Sequence, residues 1–205
     1  MGTFKIKTMD KTIYGEYMNK VLIIGSGHSA KEYEKYKNLD LIVVVVNNAW
    51  KITENWDYWV YAGDYKGDRP ITIKDNQTEI TGVDYNKSMI KYGYVNKCGF
   101  SIMLNTSYWV IENLNPSEIY YLGADMDYNP DEKGNTHFYG IGYDIRTYKK
   151  SDPDIMVELN AKGDNNYLEN IYMRFYNIAK NKNIKVFNIS SNCNSRLPYP
   201  RINLI

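Results

Sequence analysis

The segment from Gly123 to Gly140 concentrates residues that could carry out chemistry: it reads GADMDYNPDEKGNTHFYG and follows EIYYL, which predicts a buried strand. His137 is one of only two histidines in the chain, and histidine is the usual general base for removing a hydroxyl proton near neutral pH. Asp125 and Asp127 form a D-x-D pair that could hold Mg²⁺ or Mn²⁺, although loop aspartates also commonly form turns. We expect His137 to be functional and Asp125 to contact ligand, with metal binding by the pair as the alternative.

A second candidate site is the glycine turn that ends the first apolar run, formed by Gly25, Ser26, Gly27, His28 and Ser29. Glycines let the backbone approach a phosphate closely, and the exposed N–H groups of a following helix attract an anion. The segment fits the looser G-x-G-x-x-A form of the dinucleotide fingerprint. It therefore predicts a phosphate site, although glycine also serves ordinary strand-to-helix turns.

Two further polar clusters come directly after apolar runs. Asn47 and Asn48 follow the run LIVVVV, and Asp64 follows YWVYAG. The amides suit hydrogen bonds to a nucleoside or sugar hydroxyl. An NAD-type ribose contact would need an acidic residue at the end of the second strand, and Asn47 and Asn48 stand there instead, which disfavours NAD. Asparagine and aspartate are also common in turns, so each of the three residues is a candidate ligand contact or a turn former.

Apolar runs alternate with helical patterns along the chain. The continuous β-branched run before Asn47 is typical of a central strand in a parallel sheet. Residues 102–114 and 168–179 have the spacing of amphipathic helices, AKEYEKYKN looks helical, and residues 66–96 could hold two short edge strands or an excursion over the sheet.

This alternation predicts an α/β fold: a single Rossmann-like domain over residues 20–190, with a mostly parallel sheet and helices on both faces. Residues 1–19 would be an N-terminal lead-in and residues 191–205 a C-terminal tail. Ligands of such sheets bind beyond the carboxyl ends of the strands, where the topology switches. All the candidate clusters fall at predicted strand ends, which favours a functional interpretation.

Composition limits the classes of partner. The formal net charge of +1 gives no general electrostatic support for a nucleic-acid partner. Cys98 and Cys193 lack C-x-x-C spacing, so neither a zinc site nor a disulfide framework is indicated and a reducing, cytoplasmic setting is expected. No stretch approaches the ~20 apolar residues that a membrane span needs. The sequence leaves homo-oligomerisation open.

The segments VLIIGSGHSAKEY, VVVVNNAW, CGFSIMLNTSYWVIENLNPSEIYYLGADMDY and NTHFYG, in this order, resemble the bacterial sialyltransferases of glycosyltransferase family 42. They are also similar to the related motility-accessory and hydroxymethylpterin diphosphokinase-like proteins. The resemblance implies a Rossmann-like domain that transfers a sugar from a CMP-activated donor to a hydroxyl of a glycan or another acceptor, with no metal or other cofactor required.

The resemblance also implies roles by position. The donor phosphate would contact Gly25, Ser26, Gly27 and Ser29, and the nucleotide would contact Asn47. Cys98 and Gly99 take the place of the family's Ser-Gly pair, and Gly123 and Asp125 that of its Gly-x-Asp, with the aspartate at the nucleoside. His137 would be the general base. The family's phosphate-side tyrosine aligns with Asp127, one place before Tyr128, so both are catalytic candidates.

The sequence differs from the family pattern and leaves alternatives. His28 replaces the proline of the turn, and a short stretch between Asp125 and His137 leaves the donor sugar and acceptor open. One alternative is diphosphate transfer to a hydroxymethylpterin with ATP and Mg²⁺ or Mn²⁺ at Asp125 and Asp127. Others are a viral transferase that glycosylates a DNA base and a nucleotide-binding module that has lost its chemistry.

Overall fold

One parallel sheet organises the computed structural model, which describes residues 19–92, 101–127, 129–141 and 167–205. Its strands are β1 (Lys20–Ile24), β2 (Ile42–Val46), β3 (Tyr58–Val60), β4 (Thr78–Ile80), β5 (Glu118–Leu122) and β6 (Lys185–Asn188). They lie in the order β4-β3-β2-β1-β5-β6, and every neighbouring pair is parallel. The predicted α/β, Rossmann-like fold is confirmed.

The strand order puts a topological switch between β1 and β5. From β1 the chain steps outward through β2, β3 and β4, and it then returns to add β5 and β6 on the other side of β1. Three α-helices are described: α1 (Gly82–Lys91), α2 (Ile102–Asn113) and α3 (Tyr167–Asn181). None of the described helices is long and apolar enough to cross a membrane.

Alternate residues of β1 serve two separate cores, because successive side chains of a strand point to opposite faces. Val21 and Ile23 pack in the core that includes residues of all three α-helices. Leu22 and Ile24 pack in the second core, beneath two 3₁₀ helices, His28–Lys35 and Asn47–Lys51. Both faces of the sheet are therefore covered, which explains why the central strands are apolar throughout.

The segment after the glycine turn is helical as predicted, but its form is a 3₁₀ helix. Ala30, Tyr33 and Tyr36 are buried and recur every third residue. A helix with three residues per turn places such residues in one row, so the spacing of the buried side chains fits the 3₁₀ form.

Residues 66–92 contain one edge strand, β4, and then α1. Asp84 stabilises the start of this helix: the backbone N–H and the hydroxyl of Thr81 donate to Asp84 Oδ2 at 2.9 and 2.8 Å. Tyr85 and Met89, four residues apart, bury the inner face of the helix.

The last fifteen residues, predicted as a tail, pack against the core. Leu197 and Tyr199 are buried on the α-helical side of the sheet. Arg201 forms a parallel bridge with Asn188, and Asn188 N–H donates to the carbonyl of Pro200 at 2.9 Å. The segment thus covers part of the outer edge of β6.

Candidate functional site

The turns that follow β1 and β5 meet at the topological switch. The strands are adjacent and in register, with Ile24 opposite Leu122. Just beyond them, Gly25 N–H donates to the Leu122 carbonyl at 2.8 Å, and Gly27 N–H donates to the Gly123 carbonyl at 2.7 Å. Two segments far apart in sequence thus form one backbone unit at the carboxyl edge.

Glycine is required by the close contact between these two turns. A Cβ atom on Gly25 would lie 2.5 Å from the Gly123 carbonyl oxygen, and one on Gly27 would lie 2.5 Å from Asp125 Oδ2. Gly123 itself has φ +67°, a conformation that L-residues other than glycine rarely adopt. The glycines therefore serve packing between turns, whether or not they also admit a phosphate.

Asp125 is buried and hydrogen-bonded to two other segments. Its Oδ2 accepts the Ser29 N–H at 3.0 Å, and its Oδ1 accepts the hydroxyls of Ser29 at 2.6 Å and Ser190 at 2.9 Å. The Ser29 hydroxyl also accepts the Gly123 N–H at 2.8 Å. Only 3% of Asp125 is exposed, so a nucleoside would have to displace one of these donors to reach the carboxylate.

Asp127 is held by a different set of groups. Its Oδ1 accepts the amide Nδ2 of Asn129 at 2.7 Å, and its Oδ2 accepts the Nδ2 of Asn192 at 3.2 Å. Segment 190–192 therefore binds both carboxylates of the D-x-D pair. Sequence reasoning missed Ser190, whose available signal was its position at the carboxyl end of the last predicted strand.

Two N–H groups of the glycine turn are not used by the β5 turn. Within the described parts of the chain, no group accepts a hydrogen bond from the backbone N–H of Ser26 or His28. The N–H groups of Gly25, Gly27 and Ser29 all bond to the β5 turn or to Asp125. An anion at this turn would therefore be held by Ser26 and His28.

The loop that carries His137 is attached to the glycine turn. His28 Nε2 lies 3.1 Å from the Asn135 carbonyl oxygen, and the Phe138 N–H donates to the Ser26 carbonyl at 3.2 Å. Asp131 closes the start of this loop by accepting the side-chain and backbone N–H groups of Asn135 at 3.0 and 2.8 Å. These hydrogen bonds, of which the one from the Asn135 side chain contributes most, hold the pKa of Asp131 below its usual range.

His137 lies inside this loop and is only 8% exposed. Its Nδ1 is 2.9 Å from the hydroxyl of Thr136, and its ring stacks on Tyr139 with 5.2 Å between centroids. Its backbone N–H and carbonyl exchange hydrogen bonds with Gly140 at 3.0 and 3.1 Å. The imidazole is therefore fixed one residue away from Phe138, whose N–H contacts the glycine turn.

Asn47 and Asn48 form the first turn of the 3₁₀ helix after β2. Asn47 has φ +50°, which asparagine tolerates better than most residues. Its Oδ1 accepts the Ala62 N–H at 3.1 Å, and its carbonyl accepts the indole N–H of Trp59 at 2.8 Å. Asn48 Oδ1 accepts the hydroxyl of Tyr65 at 2.7 Å. Both amide oxygens thus join β2 to the segment that follows β3.

An aromatic cluster lies beside these asparagines; we name Trp59, Tyr61 and Tyr65 the β3 aromatic cluster. Its ring centroids are 4.4, 5.9 and 6.0 Å apart. Burial raises the pKa of Tyr65, and Tyr139 of the His137 loop adds to the rise. The predicted candidate Asp64 lies between Tyr61 and Tyr65 in the sequence, and its side chain is exposed. Sequence reasoning did not select the tyrosines, although they flank Asp64 in the chain.

The structure therefore groups the predicted candidates by strand end. The glycine turn, Gly123, Asp125 and His137 belong to one unit at the β1–β5 switch, while Asn47, Asn48 and Asp64 belong to the neighbouring β2 and β3 ends. The predicted Cys98, Gly99 and Tyr128 lie outside the described residues. In residues 19–92, 101–127, 129–141 and 167–205, no group of three or more His, Cys, Asp or Glu side chains could hold a metal ion.

Comparison of the chain with protein-family models, with curated proteins and with solved structures gives no match.

Proposed function

We propose that this protein is a glycosyltransferase that moves a sugar from a nucleotide-activated donor, with a CMP-sugar favoured, to an acceptor hydroxyl. The observation that carries the proposal is the attachment of the His137 loop to the glycine turn, through the Phe138–Ser26 and His28–Asn135 contacts at 3.2 and 3.1 Å. In a single displacement the acceptor hydroxyl attacks as the nucleotide phosphate leaves, so the base and the phosphate-binding turn must be held close together. The topological switch point of the sheet brings the His137 loop and the glycine turn together in this way.

On the donor side, Ser26 and His28 supply the binding groups. Their N–H groups have no acceptor among the described residues, and His28 begins a 3₁₀ helix of eight residues. Backbone N–H groups at such a start favour an anion. In the proposed reaction they stabilise the negative charge that develops on the departing nucleotide phosphate.

On the acceptor side, His137 Nε2 takes the proton. The Thr136 hydroxyl, 2.9 Å from Nδ1, helps to orient the ring. The acceptor oxygen then attacks the anomeric carbon, the bond from that carbon to the phosphate oxygen breaks, and the nucleotide leaves with the electron pair. Because His137 is nearly buried, the loop must shift to admit the acceptor.

The hydrogen bonding of the D-x-D pair favours this metal-independent reaction over the diphosphokinase. Asp125 accepts three hydrogen bonds from Ser29 and Ser190, whereas Asp127 accepts from Asn129 and Asn192. A shared divalent cation would need these oxygens as ligands, and it would therefore compete with donors that the fold already supplies.

A second candidate is a nucleotide-binding module without chemistry. The internal hydrogen bonds of Ser29 and Asp125 favour it, because two residues expected at the ligand instead hold the fold together. A cytoplasmic location belongs to both proposals and is supported by the two cysteines without disulfide spacing.

Thermal unfolding with nucleotides and nucleotide sugars, each with EDTA or with Mg²⁺ or Mn²⁺, tests the proposal. A ligand that binds only the native state raises the melting temperature. We expect CMP or a CMP-sugar to do so in EDTA, and release of CMP in the presence of an acceptor separates the transferase from the inactive module. Stabilisation by ATP or GTP only with metal would contradict the proposal in favour of the diphosphokinase.

A further inference from the structure

Among the residues that the structure describes, Arg69 has no acidic partner, and it lies over two rings of the β3 aromatic cluster. Its guanidinium carbon lies 4.9 Å from the ring centroid of Tyr61 and 5.9 Å from that of Trp59. Across the described residues, no group accepts a hydrogen bond from its guanidinium and no carboxylate forms an ion pair with it. The side chain is exposed, so its N–H groups are available to a ligand.

The carboxylate next to Arg69 in sequence is already neutralised. Asp68 accepts a hydrogen bond from Lys51 Nζ at 2.8 Å, and this contact holds the pKa of Asp68 below its usual range. The backbone carbonyl of Asp68 also accepts the indole N–H of Trp50 at 3.1 Å. Asp68 is thus held toward the second 3₁₀ helix, and the positive charge of Arg69 stays uncompensated by it.

Aromatic rings connect Arg69 to the proposed catalytic loop. Tyr61, under the guanidinium, is 6.0 Å from Tyr65 between centroids, and the pKa of Tyr65 is raised by burial and, to a smaller extent, by Tyr139. Tyr139 in turn stacks on His137 at 5.2 Å. Because Arg69 lies over Trp59 and Tyr61 at the carboxyl end of β3 and all the strands are parallel, the cation stands on the same carboxyl edge of the sheet as the glycine turn.

We infer that Arg69, held over Tyr61, is a subsite for a carboxylate or phosphate group of the ligand, separate from the phosphate position at the glycine turn. Stacking restricts the guanidinium at low entropic cost, and its fork of N–H donors matches two oxygens of one anionic group. The inference depends on the proposed function only for the identity of the ligand that carries the anionic group.

The experiment is an NMR-detected titration of the full chain with pyrophosphate, glucuronate, CMP and uncharged cytidine. Wild type is compared with Arg69→Gln, Arg69→Lys and Arg174→Gln. Arg174 is an exposed arginine on α3, which packs on the opposite face of the sheet, so its variant is the matched control. Arg69 is exposed, and equal melting temperatures will verify that the variants fold.

We expect Arg69→Gln to weaken binding of pyrophosphate or of glucuronate by about tenfold or more, as loss of a charge-assisted contact implies. The anion affinity of Arg69→Lys should lie between those of wild type and Arg69→Gln. Cytidine should bind all the variants equally, and Arg174→Gln should bind the anions as wild type does. Whichever anion responds identifies the group as phosphate or carboxylate. No binding of either anion to wild type, or equal binding to wild type and Arg69→Gln, would overturn the subsite.

The same titrations distinguish this failure from that of the proposed function. If wild type binds CMP while Arg69→Gln binds pyrophosphate and glucuronate as tightly as wild type does, the subsite is wrong and the nucleotide proposal stands. If anion binding depends on Arg69 while CMP does not bind, the subsite stands and the CMP-sugar proposal fails.

Discussion

Asp125 accepts two hydrogen bonds from Ser29, one from its backbone N–H at 3.0 Å and one from its hydroxyl at 2.6 Å. These residues stand after different strands, 96 positions apart. The pair joins the turns after β1 and β5, and Ser190 adds the segment after β6 with a hydrogen bond of 2.9 Å. One carboxylate thus fixes the relative position of three chain segments at the candidate site.

Replacing Asp125 with Ala should lower the free energy of unfolding by about 3 kcal/mol or more, because three donors would be left buried without an acceptor. Ser190→Ala removes one of these donors and also the acceptor of the Asn192 N–H, and it should cost about 1 to 2 kcal/mol. Urea denaturation measures both. A loss for Asp125→Ala no larger than that for Ser190→Ala would contradict the central role given to the carboxylate.

Gly27→Ala should destabilise the protein by about 2 kcal/mol, because overpacking of a filled site costs energy and the new Cβ would lie 2.5 Å from Asp125 Oδ2. Gly63→Ala is the matched control, since no atom lies within 4 Å of a Cβ built there. Its stability should stay within about 0.5 kcal/mol of wild type. Thermal or chemical unfolding of the two variants side by side checks the difference, and equal losses would contradict it.

Asn47→Ala should be less stable than Asn47→Gly by about 1 kcal/mol, because the backbone of this residue has φ +50° and alanine is penalised there. Both variants lose the same hydrogen bond from Ala62 N–H to Oδ1, so that loss cancels in the comparison. Chemical denaturation supplies the measurement. An alanine variant as stable as the glycine variant would show that the left-handed conformation has no cost.

The His137 loop should keep its structure from neutral pH down to about pH 4 and loosen only below it. The folded-state pKa of Asp131 is lowered, chiefly by the side-chain hydrogen bond from Asn135. A lowered pKa gives stability that is complete above the unfolded value of about 3.9 and is lost as the pH falls through the folded value.

Amide chemical shifts of Asn135 and Gly140 followed by NMR against pH measure this transition. Asp131→Asn is the control: it keeps the size of the side chain and should remove the acid-dependent step. An acid-dependent step below pH 5 that persists in Asp131→Asn would contradict the assignment to Asp131.

His137→Gln should reduce sugar transfer by about a hundredfold or more, the range expected for loss of general base catalysis, while CMP still raises the melting temperature as in wild type. Initial rates of CMP release with saturating acceptor measure the first effect. The control is Asn86→Gln, an exposed residue of α1, because α1 packs in the core on the face of the sheet opposite to Phe138. Unchanged turnover in His137→Gln would remove the histidine from the mechanism.

Sequence patterns predicted the fold class because they act locally. The β-branched run before Asn47 could only be a strand covered on both faces, and the spacing around Phe175 predicted α3 with its buried face. The 3₁₀ form of residues 28–35 was not predicted, since a few helical residues fit either helix type. Nor was the packing of Leu197 and Tyr199, because a short apolar pair in a proline-containing segment has no periodicity to interpret.

The sequence by itself determined that an α/β sheet would bring a glycine turn, two asparagines and an acidic loop to strand ends, because hydrophobic period and glycine placement are local properties. Only the tertiary structure decided which of these groups meet. Strand order placed β5 beside β1, and this made Ser29 and Ser190 the partners of Asp125 across 96 and 65 residues. It also left Arg69 over Tyr61 without an acidic partner among the described residues, because pairing between distant side chains follows from topology, which local patterns do not encode.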